Sequence, residues 1–319
     1  MQLITGGKGF IGMHVARALV DLGESCLLTT RNTQRPLPDF LQKELGRKVF
    51  VEALDVTDRQ KFRDVAKKHG ITGIIQLAGA VIGRGSVNET LAEAQSTITG
   101  YLNALQVAEE CKVARVSVAS TIGVYAGIKE LPGREDEPLP LSPTHPLPVS
   151  KKILELMGAL LSGKADYPIL NLRIGGAWGP LNHHPLSPWN LTGHLIRAAV
   201  DGARWDASVV WGDEGIDLCY VKDCGRAIAL LQTSPTLRHS TYNVSTGPVM
   251  TNKDLVGALR RQLPGTSIDV REGFDPAGPG TTFSMDTTRL QSDTGFKPQY
   301  DLEAAVADYA AWLGAGNRY

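Results

Sequence analysis

Through the first two thirds of the chain, short apolar runs alternate with longer stretches whose apolar residues recur at helical spacing. The runs read "QLIT", "SCLLTT", "VFVEAL", "GIIQLAG" and "RVSVAS", and the first helical stretch extends from Ile11 to Leu22. Strand-sized runs separated by amphipathic helices predict an α/β fold, a doubly wound parallel sheet with right-handed crossovers and helices on both faces. Longer helices are expected over Thr90 to Glu110 and Val149 to Ser162. After "ILNLRIGGAWGP" the texture turns loop-rich, with prolines and tryptophans, then a helix near Asp223 to Gln232 and a mixed tail from Tyr242. Residues 1–175 are therefore expected to form the main body, with 209–235 returning to it, while 176–208 and 236–319 build a smaller substrate-binding lobe.

The length of 319 residues allows a sizeable core plus a lobe. Lysine plus arginine (33) balances aspartate plus glutamate (33), so no global field draws the protein to nucleic acid or an anionic membrane. A small-molecule partner is the expectation. The four cysteines, Cys26, Cys111, Cys219 and Cys224, show neither CxxC pairing nor metal-ligand spacing, so buried reduced thiols are expected. The first strand begins at Gln2, leaving no room for a signal peptide, and no apolar segment reaches the roughly 20 residues that cross a bilayer. These features suggest a cytoplasmic protein.

Candidate chemistry starts in "ITGGKGFIG", where Gly6, Gly9 and Gly12 follow the first strand and open the first helix. Glycines there let backbone amides approach a pyrophosphate, whose charge the helix N-terminus favours. The expected contact set includes Phe10 and Ile11. Alone the pattern also fits an ordinary strand-to-helix turn; with the strands and helices around it, it predicts a dinucleotide-binding, Rossmann-type body. The second strand ends in Thr30 and Arg31, where an NAD site usually offers an acid to the adenosine ribose. A hydroxyl and a guanidinium suit a 2′-phosphate, so NADP is preferred over NAD, unless Arg31 simply points into solvent. Asp55 and Val56 in "ALDVTD" are expected beside the adenine, and Leu77, Ala78 and Gly79 of "LAGA" beside the nicotinamide-side ribose.

The motifs "TGGKGFIG", "LDVTD", "QLAGA", "ASTIGVYAG", "LRIGGAWGP", "YVKDCGRAI", "TYNVSTG" and "DTTRLQSDTGFKP" arrive in order along nearly the full chain. In this series the sequence resembles the extended short-chain dehydrogenases/reductases of the NAD-dependent epimerase/dehydratase family. The resemblance implies an NAD(P)-dependent oxidoreductase or epimerase-type enzyme, with Ala119 and Ile174 also bordering the cofactor. It further implies a catalytic Ser or Thr after the fifth strand, then a Tyr and a Lys four residues apart on one helix face. Thr121 matches the first position and Lys151 the lysine, which in the family holds the nicotinamide ribose and lowers the phenol's pKa from about 10. The tyrosine position is Leu147.

Slipping the register does not restore the phenol, because Pro148 stands four residues before Lys152. The chain's YxxxK, Tyr125 to Lys129, lies in a turn-rich context that argues against a catalytic helix. A proton must therefore come from elsewhere or not move. Tyr125 is a provisional acid at a family position bordering the substrate, with a packed aromatic as the alternative. His145 is a second provisional acid, as an imidazole, but precedes the helix. A substrate group, or a water held by Lys151 and Thr121, is a further possibility.

Other departures concern the substrate. Thr97 stands where the family often has Asn, and "GAWGP" brings Gly176 and Trp178 into a turn usually containing Asn. Ile216 replaces an Arg that suits a diphosphate. A nucleotide-sugar substrate is therefore not expected, and a small carbonyl or alcohol is. All five tryptophans, Trp178, Trp189, Trp205, Trp211 and Trp312, fall in the C-terminal part, where they line a pocket or pack a core. His183 and His184 lack a carboxylate at ligand spacing, so no metal is expected. Ile153, Met157, Leu160 and Leu161 form a stripe that implies, by resemblance, a homodimer's helix bundle, with intramolecular burial as the alternative. A dinucleotide-binding sensor or scaffold, and a non-redox lyase or isomerase with bound NAD(P), stand as competing readings.

Overall fold

The computed structural model describes residues 1–79, 85–141, 145–182, 191–205, 210–277 and 282–317. Among them, seven strands form one parallel sheet: β1 (Gln2–Thr5), β2 (Cys26–Thr30), β3 (Val49–Ala53), β4 (Gly73–Gln76), β5 (Val116–Thr121), β6 (Ile169–Ile174) and β9 (Thr241–Val244). Their order is β3-β2-β1-β4-β5-β6-β9. The central strands are apolar at consecutive positions because both sheet faces are covered. Leu3, Leu27 and Ile74 enter the core on one face, and their neighbours Ile4, Leu28 and Ile75 the core on the other.

Two helix layers cover those faces. On one, α1 (Phe10–Asp21) packs closely against α7 (Val221–Thr233); on the other lie α3 (Arg59–Lys68), α4 (Val87–Cys111) and α5 (Pro146–Ser162). Gly225 of α7 makes the first contact possible, since a Cβ there would stand 2.6 Å from the His14 carbonyl carbon. The strand order reverses between β1 and β4, and in such sheets ligands bind in the crevice at the carboxyl ends beside that reversal.

The lobe is built on β7 (Gly176–Trp178), β8 (Gly215–Tyr220) and β10 (Val249–Thr251), with β8 parallel to β7 and antiparallel to β10. Helices α6 (Leu191–Val200), α8 (Asn252–Gln262) and α10 (Leu302–Gly314) share a third core with this sheet. Two segments differ from the division expected of the sequence. Residues 241–244, expected in the lobe, complete the large sheet as β9 beside β6, where Tyr242 and Val244 are fully buried. Within 209–235, β8 belongs to the small sheet and α7 packs on the main body. Strand pairing between distant segments leaves no local periodicity, which is why texture alone misassigns them.

Candidate active site

The Gly-rich turn is shaped by contacts that exclude side chains. Gly6 adopts φ +61°, and a Cβ there would stand 3.2 Å from the backbone of Ala78, across the strand reversal. A Cβ at Gly9 or Gly12 would meet the Gly6 carbonyl at 2.9 or 2.8 Å. Gly9 caps α1 without a side-chain hydrogen bond, and the first turn, which opens with Phe10, Ile11 and Gly12, holds no acidic residue. A helix start with a positive dipole end and no capping side chain suits an anion, so these residues fit a dinucleotide pyrophosphate.

Thr5 ties that turn to the Leu77–Ala78 turn. Its hydroxyl donates to Gln76 Oε1 at 2.8 Å and accepts from the Leu77 and Ala78 amides at 3.1 and 3.0 Å. Gln76 in turn donates to the Ala78 carbonyl at 3.0 Å. The "LAG" backbone is thereby held open, with Gly79 exposed.

Lys8 and Arg35 meet beside the loop that follows β2, while Arg31, the one basic residue of the three that the sequence points to, follows the last residue of β2 and acts on Asp55. Arg31 is exposed, and the Thr30 hydroxyl turns back onto Asn32 at 3.2 Å. Lys8, from inside the Gly-rich turn, is buried and donates to the carbonyls of Thr33, at 2.9 Å, and Arg35. Burial, and then the Arg35 charge, push the Lys8 pKa down. The clue to Lys8 was a cation between two glycines of the fingerprint. Asp55 accepts from the Thr57 amide and hydroxyl at 2.9 and 2.7 Å, which holds its pKa below the usual carboxylate value. Val56 presses on Gly100 of α4, and Asn103 donates to its carbonyl at 2.9 Å.

The catalytic-type residues come from β5, the 3₁₀ turn Ile122–Tyr125 after it, and α5. Ala119 and Thr121 pair in register with Leu172 and Ile174 of β6, so Ala119 and Ile174 are buried at the strand ends. Thr121 accepts from the Gly123 amide at 3.2 Å, and a Cβ on Gly123 would stand 2.8 Å from the Pro148 ring. That contact sets the Thr121 turn against the first turn of α5, beside Leu147. Leu147 is half-buried and belongs to none of the core clusters found among the described residues.

Lys151 stands one turn further along the same helix face. It is 8% exposed, and among the described residues its Nζ makes no hydrogen bond or ion pair. A Cβ at Gly79 would lie 3.7 Å from that Nζ and 3.7 Å from the Thr97 methyl, so Gly79, Thr97 and Lys151 converge. Burial pushes the Lys151 pKa down to about 8, against the opposing pull of Glu155. An unpartnered, buried ammonium costs free energy unless a ligand's oxygens meet it, and ribose hydroxyls fit that need.

Two expected acids are placed differently. Tyr125 is fully buried; its hydroxyl donates to Asn243 Oδ1 and accepts from Arg173 Nη1, both at 2.8 Å. Arg173 also lies over its ring, 4.8 Å from the centroid. Burial pushes the phenol up to about 12, and Asn243 and Arg173 occupy both sides of its hydroxyl. His145 caps α5, its Nδ1 accepting from the Leu147 amide at 3.3 Å. Below Lys151, Glu155 accepts from Arg173 and from Ser120.

On the lobe side, Ile216 bridges to Phe283 and packs with Tyr125 in an apolar cluster completed by Ile122, Val124 and Met285. A separate lobe cavity of about 620 Å³ is lined by Trp178, Tyr220 and Tyr300, with Lys253 and Arg261 among its charged residues. Trp205 and Trp312 pack in or against the lobe core, and Arg271 lies over Trp211. Trp189, His183 and His184 lie outside the described residues. Among the described residues no cluster of His, Cys, Asp or Glu could hold a metal, and no helix is long and apolar enough to cross a membrane.

Residues 2–245 match the model of the NAD dependent epimerase/dehydratase family. The chain belongs to that family. It is accordingly an enzyme of the oxidoreductase and epimerase class. Relatives matched along nearly the whole chain include the dTDP-glucose 4,6-dehydratase of Streptomyces griseus, 27% identical over 97% of this chain and 93% of that one. Another is the probable UDP-glucuronate 4-epimerase of Rhizobium meliloti, 26% identical over 99% of this chain and 97% of that one. Among solved structures, the UDP-glucose 4-epimerase of Bifidobacterium longum, in complex with NAD⁺ and UDP, is similar with a TM-score of 0.82. It is 21% identical, over 98% of each chain. The Thermotoga maritima UDP-glucose 4-epimerase, with UDP-glucose, is similar at a TM-score of 0.81 and 21% identity, over 99% of each chain. These likenesses place the fold, and the family model places the chain within its family.

Proposed function

We propose that the protein is an NADP(H)-preferring oxidoreductase or epimerase-type enzyme acting on a small carbonyl or alcohol that is not a nucleotide sugar. The observation that carries this reading is Lys151, buried, without a partner among the described residues and converging with Gly79 and Thr97 at the strand reversal. In this reading the α1 start, with Gly6, Gly9, Phe10, Ile11 and Gly12, takes the pyrophosphate. Asp55, Val56 and the Leu77–Gly79 turn border the adenosine and ribose portions, as do Ala119 and Ile174 deeper in the cleft. The bound nicotinamide supplies hydride exchange; Thr121 orients the reacting oxygen and Lys151 holds the ribose.

The NADP preference rests on Lys8, Arg31 and Arg35 around the end of β2, where the described residues offer the ribose no carboxylate from β2 itself. An added charge-assisted contact to a 2′-phosphate contributes about 1.5–3 kcal/mol, or roughly a tenfold or greater preference. The substrate reading rests on Ile216, whose apolar packing with Phe283 and Tyr125 supplies no counter-charge for a diphosphate. The named relatives carry nucleotide-sugar names, so UDP-glucose and dTDP-glucose belong in any test.

A homodimer is part of the same proposal. On α5, Val149, Ile153, Leu156 and Leu160 are exposed at successive turns, with Leu156 at 66% and Leu160 at 59%, while Val87 and Leu91 of α4 are exposed as well. Met157 and Leu161, expected in that stripe, pack instead against the chain's own core.

Calorimetric titration with NADPH, NADH, NADP⁺ and NAD⁺, followed by a panel of small carbonyls and alcohols alongside UDP-glucose and dTDP-glucose, tests the reading. Tighter binding of NADPH than NADH and turnover within the small-molecule panel are expected. Equal affinity for the two cofactors removes the NADP preference, and turnover of either nucleotide sugar overturns the substrate assignment. Tight cofactor binding with no turnover of any compound favours a sensor instead.

A further inference from the structure

We infer that Lys151 itself donates and accepts the proton in this site, taking over the work of the phenol absent at position 147. The inference rests on the reading of the cleft as a nicotinamide site. It follows from what each neighbouring group is already doing. Leu147 has no exchangeable side-chain proton. The Tyr125 hydroxyl is sealed between Asn243 and Arg173. The Thr121 hydroxyl accepts from the Gly123 amide and keeps an O–H that can orient an oxygen but, as an alkyl alcohol, does not ionise near neutral pH, and His145 spends Nδ1 on the N-terminus of α5. Among the described residues the Lys151 nitrogen, at the convergence with Gly79 and Thr97, makes no hydrogen bond or ion pair, and with three N–H donors it can hold a ribose hydroxyl and still exchange a proton.

The charges packed around Lys151 leave it free to titrate. On its own helix, Glu155 is held by Arg173 of β6 through Oε1 and Oε2, at 3.2 and 3.1 Å from Nε, and by Ser120 of β5. Lys152 turns away to the Pro140 carbonyl. The 3₁₀ turn offers Tyr125 and α4 offers Tyr101, both buried phenols held neutral by desolvation. The Glu155 charge, already neutralised by Arg173, raises the Lys151 pKa less than burial lowers it.

The step balances with a nicotinamide dinucleotide as the redox partner. In alcohol oxidation the O–H proton would pass to neutral Nζ, which would become the ammonium, and a bound oxidised nicotinamide would supply the acceptor for the carbinol hydride as C–O becomes C=O. In reduction the ammonium would return the proton to oxygen, with the reduced nicotinamide as the source of hydride.

Proton release on cofactor binding provides the test, measured by titration calorimetry at pH 7.5 in buffers of differing ionisation enthalpy. The oxidised ring carries a positive charge that the reduced ring lacks, and the 2′-phosphate is common to both. NADP⁺ binding should therefore release about half a proton more than NADPH binding, since a cation beside Nζ favours the neutral amine. In Lys151→Arg, whose guanidinium does not titrate, that difference should vanish while both forms still bind. A difference of zero in the natural protein, or one that persists in the variant, overturns the inference while leaving the cofactor site standing. Failure to bind either form overturns the cofactor reading and this inference with it. The natural protein also decides the matter without any variant, through the pH dependence of Lys151 acetylation followed by mass spectrometry. A midpoint near 8 supports the assignment, and one above about 10, the ordinary lysine value, overturns it. For any carbonyl that the panel identifies, reduction should slow above that same midpoint, and Lys151→Arg should lose a factor of roughly 10²–10⁴ together with that pH limb.

Discussion

Arg173 of β6 grips Glu155 of α5 in a buried ion pair, with Nη2 to Oε2 at 2.8 Å and side chains only 6% and 8% exposed. The pair lies one helical turn beyond Lys151 and joins the sheet to the helix that presents it. Replacing Glu155 with Gln leaves the guanidinium without its counter-charge in a buried position. A loss of about 3–5 kcal/mol is expected in urea denaturation, the scale of breaking a buried pair. The same change removes the one charge that raises the Lys151 pKa, so the acetylation midpoint of Lys151 should move down. An unchanged denaturation midpoint would show that the pair does not anchor the helix.

Tyr125→Phe separates packing from chemistry. The ring keeps its contacts with Phe283, 5.8 Å between centroids, but Asn243 Oδ1 loses its donor and Arg173 Nη1 an acceptor. A destabilisation of about 1–3 kcal/mol is expected from leaving those groups unsatisfied. Cofactor affinity should stay within a few-fold of the natural protein. A large drop in turnover at unchanged KM and unchanged stability would instead return Tyr125 to the role of acid.

His14 gives the fold a specific acid sensitivity. Buried on α1 and bonded through Nε2 to the Pro180 carbonyl at 3.0 Å, it has its pKa pushed by burial from 6.5 down to about 4. The unfolded chain therefore binds this proton at higher pH than the folded one, and stability is lost as pH falls from about 6.5 to about 4. Asp217 works in the opposite sense, since burial raises its pKa to about 6 and favours the fold at low pH. Comparing the natural protein with His14→Gln cancels the Asp217 contribution. The stability difference between them should shift against the natural protein by about 3 kcal/mol over that interval, read from urea curves at several pH values. A pH-independent difference would rule out a neutral buried histidine.

The apolar stripe on α5 makes a prediction about assembly. Leu156 and Leu160 are exposed in the single chain, so Leu156→Asp with Leu160→Asp should leave the fold intact and remove the surface for a second copy. Light scattering should report a dimer for the natural protein, as proposed, and a monomer for the double variant. A natural protein that is already monomeric at micromolar concentration sinks the homodimer proposal.

Much of this architecture is legible in the residues. The helices expected from Ile11, Thr90, Val149 and Asp223 are observed as α1, α4, α5 and α7, with ends shifted by a few residues where caps decide. At the N-terminus of α5 the cap is His145 followed by Pro146, and at α4 it is a Ser86–Glu89 capping box, both local signals. β9 carries no local sign of its sheet, because its pairing with β6 joins residues some 70 positions apart. The placement of Lys8 is not legible in the sequence, because it depends on the carbonyls of Thr33 and Arg35, which only the folded loop brings to it.

The sequence by itself determined the alternation of strands and helices, the glycines at the first turn, and the substitution of Leu147 in register with Lys151. Each depends on interactions between near neighbours: side-chain period, backbone sterics and helical spacing of four. Only the tertiary structure decided which groups are free to react. Tyr125 and Lys151 looked comparable as polar residues of one site, yet Arg173 and Asn243, far along the chain, enclose the phenol and occupy both sides of its hydroxyl. Among the described residues Lys151 meets no such partner, and burial without a partner is what turns an ordinary lysine into one whose proton is within reach of neutral pH.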